Sequence, residues 1–427
     1  MSDWYTDGLR HIWLPYTQMK TVAPPLAVAS TQGCRIRLAD GRELVDGIAS
    51  WWTAVHGYNH PHIRESVRRQ LEKMPHIMLG GLVHEQALTL ATRLSNILPG
   101  DLTRVFFSES GSVSVEIAMK IALQYWLNKG VQGRTHFLSF KGGYHGDTFQ
   151  TMSVCDPDEG MHALFAGSLA PQHVVDLPTD DAGLARLSLY LEARAEGIAA
   201  LLIEPLVQGA GGMRMHDVAI LKGIVEAARK ANVLVIFDEI FTGFARTGTL
   251  FACEAAGVVP DIITLSKALT GGTLPLAATV ARQSVFDAFW SDDAGHALMH
   301  GPTYTGNALA CAAANASLDL FEREPRLEQA AAIEAQLKDQ LLPARGIEGV
   351  EDVRIKGAIG AIALDHAPDL GWLKARFLEE GVWVRPFGRT IYTTPALVIS
   401  PDELALVTHA MVAVTRAWAE EKRARAR

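Results

Sequence analysis

The sequence predicts an α/β fold, with a large domain built on a mostly parallel central sheet flanked by helices and a smaller α+β domain beside it. Two patterns carry this prediction. From about residue 100 to residue 305, short apolar runs alternate with stretches of helical periodicity, which is typical of βαβ units. The segments before and after this region lack the alternation and combine Ala- and Leu-rich helices with short strands. A chain of 427 residues is long enough for such a division.

The predicted elements follow the chain in this order. The large domain has strands at 104–107, 135–140, 199–203, 233–237 and 262–265, with helices that include 112–126 and 218–230. The smaller domain has helices at 308–321 and 326–342, strands at 357–364, 382–385 and 397–399, and a last helix from Pro401. We therefore expect an N-terminal segment (1–55) that contributes to the small domain, a large domain (56–305) that carries the central sheet, and a C-terminal small domain (306–427).

Composition excludes several classes of protein. Charged residues make up 20% of the chain and the net charge is −8, which argues against a nucleic-acid binder. The N-terminus lacks the basic and apolar regions of a signal peptide, and no apolar stretch is long enough for a membrane span. The four cysteines are far apart and form no C-x-x-C pair, so we expect neither disulfides nor a metal site. A cytoplasmic protein is the expectation.

Three predicted strand ends carry functional side chains. Because the carboxyl ends of parallel strands meet at one edge of a sheet, ligands bind there. Ser108-Glu-Ser-Gly-Ser112 opens a helix after the first strand and suits an anion such as phosphate. Asp238 follows the buried strand 233–237, and Lys267 follows the strand 262–265. The sequence contains no P-loop, G-x-G-x-x-G, G-x-S-x-G or H-E-x-x-H motif.

Each of these strand ends also has an ordinary interpretation. The serine is also a common helix N-cap, the aspartate a common ion-pair member, and the lysine a common surface residue. Together they match pyridoxal 5′-phosphate, whose aldehyde bonds a lysine, whose ring nitrogen pairs with an aspartate and whose phosphate suits a helix start.

Longer blocks resemble the class III (ω-type) aminotransferases. The blocks are Phe237-Asp-Glu-Ile-Phe-Thr-Gly-Phe-Ala-Arg-Thr-Gly248, Leu265-Ser-Lys-Ala-Leu-Thr-Gly-Gly272 and Lys141-Gly-Gly-Tyr-His-Gly146. The resemblance implies fold type I of the pyridoxal-phosphate-dependent transferases and implies that the cofactor is pyridoxal 5′-phosphate. Ala245 and Val113 depart from the common family pattern, at positions with no assumed chemistry.

Five further blocks are similar to members of this family that act in biotin synthesis, and the similarity runs from Trp13 to about Ile399. They lie at 13–18, 50–61 (with the pair Trp51-Trp52), 208–213, 300–311 and 381–388. The similarity implies that S-adenosylmethionine gives its amino group, that 8-amino-7-oxononanoate takes it to become 7,8-diaminononanoate, and that both substrates use one site in turn. It also implies a homodimer with shared active sites.

The resemblance assigns residues to three roles. The catalytic residues are Lys267, Asp238 and Tyr144. The cofactor-binding residues are Gly111, Ser112, Tyr144, Asp238, Lys267, Pro302 and Thr303, of which the threonine arrives from the partner subunit. The substrate-binding residues are Tyr16, Trp51, Trp52, Tyr144, Lys267, Gly301, Arg385 and Tyr392.

The substrate roles also agree with simple chemistry. Arg385 suits the carboxylate of a long keto acid, and aromatic walls suit a sulfonium and an adenine. We expect His145 and Glu204 behind the site, and Arg246 either binds a carboxylate or braces its loop.

Four other functions are alternatives to this one, of which the first two stay open and the last two are disfavoured by the sequence. One is another class III transaminase that uses a diamine, β-alanine or 4-aminobutyrate. Another is a diaminononanoate-forming enzyme that uses lysine as donor. A non-catalytic protein of the same fold would be expected to lose Lys267 or Asp238, and both are present. An NAD-dependent oxidoreductase would need a glycine fingerprint that the chain lacks.

Overall fold

A computed structural model describes residues 3–157 and 162–426. The helices are α1 (Asp3–Gly8), α2 (Ala49–Trp52), α3 (Pro61–Lys73), α4 (Glu85–Ile97), α5 (Gly111–Asn128), α6 (Phe149–Ser153), α7 (Asp181–Arg194), α8 (Val218–Lys230), α9 (Ala252–Ala256), α10 (Gln283–Phe286), α11 (Ala308–Arg323), α12 (Arg326–Leu341), α13 (Leu370–Glu379) and α14 (Pro401–Ala426). The strands are β1 (Val28–Gln32), β2 (Arg35–Leu38), β3 (Glu43–Asp46), β4 (Leu102–Ser108), β5 (His136–Phe140), β6 (His173–Val175), β7 (Ile198–Ile203), β8 (Val207–Gln208), β9 (Arg214–Met215), β10 (Leu234–Asp238), β11 (Ile262–Leu265), β12 (Ala277–Arg282), β13 (Val350–Lys356), β14 (Ile359–Leu364), β15 (Val382–Trp383) and β16 (Thr390–Thr393).

The centre of the molecule is a seven-stranded sheet in the order β4-β12-β11-β10-β7-β5-β6. The pairs β11–β10, β10–β7, β7–β5 and β5–β6 are parallel, whereas β12 runs antiparallel to both of its neighbours. Every residue of β7 and β10 is buried, as expected for parallel strands that are covered on both faces. The predicted α/β fold with a mostly parallel sheet is confirmed.

Two strands of this sheet were not predicted. β6 has only three residues, too few for a pattern of alternation. β12 reads Ala-Ala-Thr-Val-Ala-Arg, and alanine has a low preference for strands. Burial between β4 and β11 determines the conformation of β12 more strongly than its composition does.

The two ends of the chain meet in a four-stranded sheet in the order β1-β2-β3-β15. β3 pairs in parallel with β15, so that Val45 lies opposite Val382 and Asp46 opposite Trp383. A separate antiparallel sheet, β13-β14-β16, packs on the long C-terminal helices. The domain boundaries given above stay a prediction.

The strand predicted at 397–399 is wrong. Ile399 N donates to Ala396 O over 3.1 Å, which makes this segment a turn, and Leu397 N donates to Val55 O over 2.9 Å. The residues are apolar because they are buried in the core, where Leu397 is 1% exposed. Two strands that were not predicted, β13 and β16, occupy the sheet with β14 instead.

Among the described helices, none is long and apolar enough to cross a membrane. In the same residues no group of three or more His, Cys, Asp or Glu side chains is arranged to hold a metal ion.

Candidate active site

The last residue of the central strand β10, Asp238, is the buried carboxylate of the site. It is 4% exposed, and its Oδ2 lies 2.9 Å from Nδ1 of His145. Its Oδ1 accepts a hydrogen bond from Ile240 N over 3.2 Å. Burial alone would lower the pKa of His145, but the hydrogen bond to Asp238 and the nearby carboxylate of Glu204 raise it overall. The raised pKa favours the protonated imidazole, which lies against the carboxylate of Asp238.

Lys267 follows the neighbouring strand β11 and begins a 3-10 turn (Lys267–Thr270). Its φ of 44° is in the left-handed region, which is uncommon for a residue other than glycine and is often found at functional sites. The amine Nζ lies 5.0 Å from the centre of the Trp52 ring. Burial lowers the pKa of Lys267, although the carboxylates of Asp238 and Glu204 oppose the shift. A lowered pKa brings an amine closer to the neutral form that a base or a nucleophile needs.

The start of α5 is the place where the sequence predicts an anion site. Ser110 caps the helix by accepting a backbone N–H of the first turn, and the other N–H groups at a helix start have no partner within the helix. At Gly111 an added Cβ would lie 2.9 Å from the side chain of Ile240, so glycine allows the close approach. Ser112 Oγ accepts a hydrogen bond from Asp147 N over 3.1 Å. The helix start is therefore tied to the loop that carries Tyr144.

Two predicted tyrosines meet on a carboxylate that was not predicted. The Tyr144 hydroxyl donates a hydrogen bond to Asp147 over 2.9 Å, and the Tyr16 hydroxyl donates to the same carboxylate. The two hydroxyl oxygens lie 3.3 Å from each other. Burial and the hydrogen bond to Asp147 raise the pKa of Tyr16 to about 12, and burial raises that of Tyr144. The ring of His162 lies parallel to that of Tyr144 at 6.0 Å. No common motif marks Asp147; its position three residues after Tyr144 is the only signal in the sequence.

Trp51 and Trp52 lie on α2, which is a single left-handed turn. Ala49, Ser50, Trp51 and Trp52 have φ values of 46°, 49°, 57° and 75°. Left-handed backbone costs about 1–2 kcal/mol for each residue that has a Cβ. Four such residues in succession, none of them glycine, require compensating contacts, and strained backbone of this kind is concentrated at functional sites.

The two tryptophans point to different surroundings. Trp52 is 7% exposed; its ring lies 4.3 Å from that of Phe241 and 6.3 Å from that of Tyr392. Trp51 is 38% exposed and its ring is perpendicular to that of Tyr16. The buried tryptophan thus contacts the lysine, and the exposed one contacts the tyrosine cluster.

Arg385 lies beside these aromatic residues, and together with Tyr16, Trp51, Trp52 and Tyr392 it forms one wall of the site. Its guanidinium lies 4.0 Å above the centre of the Trp51 ring. Burial lowers the pKa of Arg385, and a guanidinium keeps its charge in proteins. Tyr392, 1% exposed, borders Trp52 on the other side.

Some predicted residues are not brought to the site within this chain. Gly301 and Thr303 are exposed, and Pro302 is partly exposed. Within the described residues, the Thr303 side chain forms no hydrogen bond. Arg246 is 1% exposed; its Nη1 donates to Pro395 O over 2.7 Å, and burial lowers its pKa to about 10. That contact corresponds to the bracing role.

Two buried glutamates organise the backbone around the strand ends. Glu204 accepts hydrogen bonds from Tyr144 N over 3.0 Å and from Gly209 N over 2.9 Å. Glu239 caps the start of α9 by accepting two backbone N–H groups. Burial raises the pKa of both carboxyls to about 7. Glu239, next to Asp238 in the sequence, therefore points away from it into a structural contact.

The residues of this edge fit pyridoxal 5′-phosphate. A buried, hydrogen-bonded carboxylate suits the protonated ring nitrogen, an amine with a lowered pKa suits the aldehyde, and a helix start with glycine suits the phosphate. Ser108 Oγ, at the end of β4, is buried and has no partner among the described residues, which leaves one more group for a ligand.

Comparisons with known proteins agree with this geometry. The family model of class III aminotransferases matches residues 16–415. The adenosylmethionine-8-amino-7-oxononanoate aminotransferases of Corynebacterium glutamicum and Mycobacterium leprae are 41% and 44% identical, each over 95% of this chain and over 97% and 94% of their own lengths.

Solved structures of the same kind superpose on the fold. The adenosylmethionine-8-amino-7-oxononanoate aminotransferase of Methanocaldococcus jannaschii has a TM-score of 0.92 at 32% identity and covers 97% of this chain and 98% of its own. An amine transaminase from an uncultivated Pseudomonas species, in its PLP-bound form, has a TM-score of 0.88 at 33% identity and covers 96% of this chain and 99% of its own. The chain belongs to the class III aminotransferases, enzymes that use pyridoxal 5′-phosphate.

Proposed function

We propose that this enzyme transfers the amino group of S-adenosylmethionine to 8-amino-7-oxononanoate and so forms 7,8-diaminononanoate, a step of biotin synthesis. The curated relatives named above carry this activity in their names at about 40% identity over the whole chain. The observation that carries the proposal is a pair of contacts on the adjacent Trp51 and Trp52. The Arg385 guanidinium lies over Trp51, which also contacts Tyr16, and Lys267 Nζ lies over Trp52, so aromatic surface and a guanidinium lie near the reactive amine.

Lys267 is the proposed proton carrier. When bound, pyridoxal 5′-phosphate withdraws electrons from the substrate carbon that bears the amine and holds the amino group between the two half-reactions. Lys267 Nζ would carry a proton from that carbon to the aldehyde carbon of the cofactor, and in the second half-reaction would carry one in the opposite direction. Its lowered pKa favours the neutral amine that this role requires.

Asp238, the start of α5 and Tyr144 are the proposed cofactor ligands. Asp238 would pair with the ring nitrogen, and His145 would hold the aspartate in place through its 2.9 Å contact. The N–H groups of Gly111 and Ser112 would bind the phosphate. Tyr144 would stack on the ring, in a position set by Asp147 and by the hydrogen bond from its backbone to Glu204.

The substrate wall suits both proposed molecules. The guanidinium of Arg385 would bind the carboxylate of the acceptor, whose aliphatic chain would run past Trp51 and Trp52. A sulfonium and an adenine would lie against the same aromatic rings. One site that accepts both in turn corresponds to a ping-pong cycle.

A homodimer with shared sites is also proposed. Thr303 and its neighbours Met299 and Tyr304 are exposed, the latter two at 76% and 56%. Apolar side chains this exposed suit a subunit interface, and Thr303 would reach the phosphate of the partner's cofactor. The four cysteines are buried and unpaired, which fits the proposed cytoplasmic location.

A product assay with a panel of donors tests the proposal. Purified enzyme with 8-amino-7-oxononanoate should form 7,8-diaminononanoate, detected by mass spectrometry, with S-adenosylmethionine as donor. Lysine, 4-aminobutyrate and β-alanine should give little product, and the Lys267→Ala variant should give none above background. A faster reaction with lysine would favour the lysine-dependent alternative. A faster reaction with an ω-amino acid, without use of 8-amino-7-oxononanoate, would refute the substrate assignment.

A further inference from the structure

The left-handed turn that carries Trp51 and Trp52 is stabilised by hydrogen bonds to one buried carboxylate. Asp46, the last residue of β3, is 1% exposed. Its Oδ1 accepts a hydrogen bond from Ile48 N over 2.9 Å, and its Oδ2 accepts one from Ser50 N over 2.7 Å. The Tyr58 hydroxyl, beyond the turn, donates to Oδ2 over 2.6 Å. The carboxylate thus binds both sides of the strained segment, through bonds that its charge strengthens.

Asp46 also lies where the rest of the substrate wall is attached. It is the register partner of Trp383 in the β3–β15 pair, and Gly47 N donates to Trp383 O over 3.0 Å. Arg385 follows two residues later. The position of Asp46 therefore fixes the start of the Trp51 turn relative to the strand that leads to the guanidinium.

The neighbouring glycine connects a third part of the wall. Gly47 O accepts hydrogen bonds from Thr393 Oγ1 over 2.6 Å and from Thr394 N over 2.8 Å, directly after Tyr392. A Cβ at Gly47 would lie 3.0 Å from Val407 and 3.2 Å from Val384, so the junction is closely packed.

We propose that Asp46 is a positioning residue for the acceptor pocket, which holds Trp51 over Arg385 by stabilising the left-handed turn. This inference rests on the proposed function. The carboxylate touches neither substrate nor cofactor in this assignment; it acts through Trp51. Without the two acceptor oxygens, the N–H groups of Ile48 and Ser50 lose their partners, and the turn relaxes toward ordinary backbone conformations. Trp51 then leaves the guanidinium, and the pocket loses its aromatic wall.

We call the hydrogen bonds of Asp46 to Ile48, Ser50 and Tyr58 the clamp, and two variants weaken it to different degrees. Asp46→Asn keeps the size of the side chain but presents an NH₂ group where one of the two oxygens accepts hydrogen bonds. Tyr58→Phe removes only the hydroxyl and should fold even if Asp46→Asn does not. We expect the KM for 8-amino-7-oxononanoate to rise about tenfold in Asp46→Asn and about threefold in Tyr58→Phe, with kcat at saturation changed less than about threefold.

Asp261→Asn is the matched control. Asp261 is also a largely buried carboxylate that accepts a backbone hydrogen bond, from Val235 N over 2.8 Å, but it lies at the opposite end of β11. Its substitution should lower stability and leave the KM for the acceptor within about twofold of the wild-type value. An equal rise in KM in the control would mean that the effect is general destabilisation, and would overturn the proposal.

A double-variant cycle separates positioning from structure. If Asp46 acts through Trp51, Asp46→Asn or Tyr58→Phe should raise KM less than about twofold further in a Trp51→Ala background. Fully additive effects would overturn the proposal. The near-ultraviolet circular dichroism of the unliganded protein provides a reading that needs no substrate: both clamp variants should weaken its tryptophan bands, and Asp261→Asn should not.

Failure of the proposed function is recognised separately. Wild-type enzyme that does not use 8-amino-7-oxononanoate would refute the substrate assignment before any variant is made. The dichroism spectra would then decide the positioning claim, since unchanged tryptophan bands in both clamp variants would overturn it.

Discussion

Removal of the Arg385 guanidinium should selectively weaken binding of the acceptor. Arg385 forms no salt bridge with any described residue, and the groups that act on its charge are the hydroxyls of Tyr16 and Tyr392, so its charge is available to a ligand. It lies 4.0 Å above the Trp51 ring, and burial has already removed part of its hydration. A carboxylate that arrives there would meet a charge at low solvation cost, in a site built from aromatic surface.

The size of the effect follows from the bonds that are lost. Hydrogen bonds to charged groups contribute about 1.5–3 kcal/mol. Since about 1.4 kcal/mol corresponds to a factor of ten, Arg385→Ala should raise the KM for 8-amino-7-oxononanoate about 10- to 150-fold. The chemistry at Lys267 is not touched, so kcat at saturating acceptor should change much less.

Steady-state kinetics with varied acceptor and saturating donor measure this. Arg376→Ala is the matched control, because Arg376 also lies over a tryptophan, Trp372, at 5.4 Å, but on the exposed face of α13. Arg385→Lys should lie between the wild type and Arg385→Ala, since lysine keeps the charge without the planar fork. An unchanged KM in Arg385→Ala would refute the assignment of the carboxylate site.

Three further predictions concern the strand ends and a buried histidine. Lys267→Ala should lower turnover at least about 100-fold and abolish the covalent lysine–cofactor bond. Borohydride reduction followed by mass spectrometry detects this bond, and circular dichroism should show unchanged secondary structure. Turnover at the wild-type rate would contradict the role of Lys267. Asp238→Asn should fold but lower kcat about 100-fold or more, and the visible spectrum should show that cofactor still binds; wild-type kcat would contradict the pairing with the ring nitrogen. His216, whose Nε2 accepts from Leu206 N over 2.9 Å, has its pKa lowered by burial to about 4. His216 takes up a proton below about pH 6.5 in the unfolded chain but only near pH 4 in the folded one. The free energy of unfolding is therefore highest above pH 6.5 and falls as the pH is lowered, and the loss due to this histidine reaches about 2 kcal/mol at pH 5. In urea unfolding, His216→Gln should lack this loss, and an equally steep pH dependence in the variant would contradict it.

The strand ends of the site could be predicted because their signals are local in the sequence. Asp238 and Lys267 each come directly after a continuous apolar run, and parallel strands bring such ends to one edge of the sheet. The helix start at Gly111 is marked by serine and glycine in the same way. These residues lie where the pattern places them.

What the sequence could not predict depends on distant contacts. The left-handed turn at Trp51 contains no glycine, and its conformation depends on a carboxylate and on Tyr58, beyond the turn. Asp147 becomes significant only because Tyr16, 131 positions away in the chain, folds onto it. Strand β12 contains too much alanine to show a strand pattern, and the apolar run at 397–399 is buried as a turn.

The most direct test of the central claim is the visible absorption of the purified holoenzyme during one half-reaction. The protein should be yellow, lose this absorption when S-adenosylmethionine is added without acceptor, and regain it when 8-amino-7-oxononanoate follows. Loss and return of the colour would support the cofactor, the donor and the ping-pong order together. A yellow protein that keeps its absorption with S-adenosylmethionine would contradict the donor, and one that bleaches but does not recover with the keto acid would contradict the acceptor.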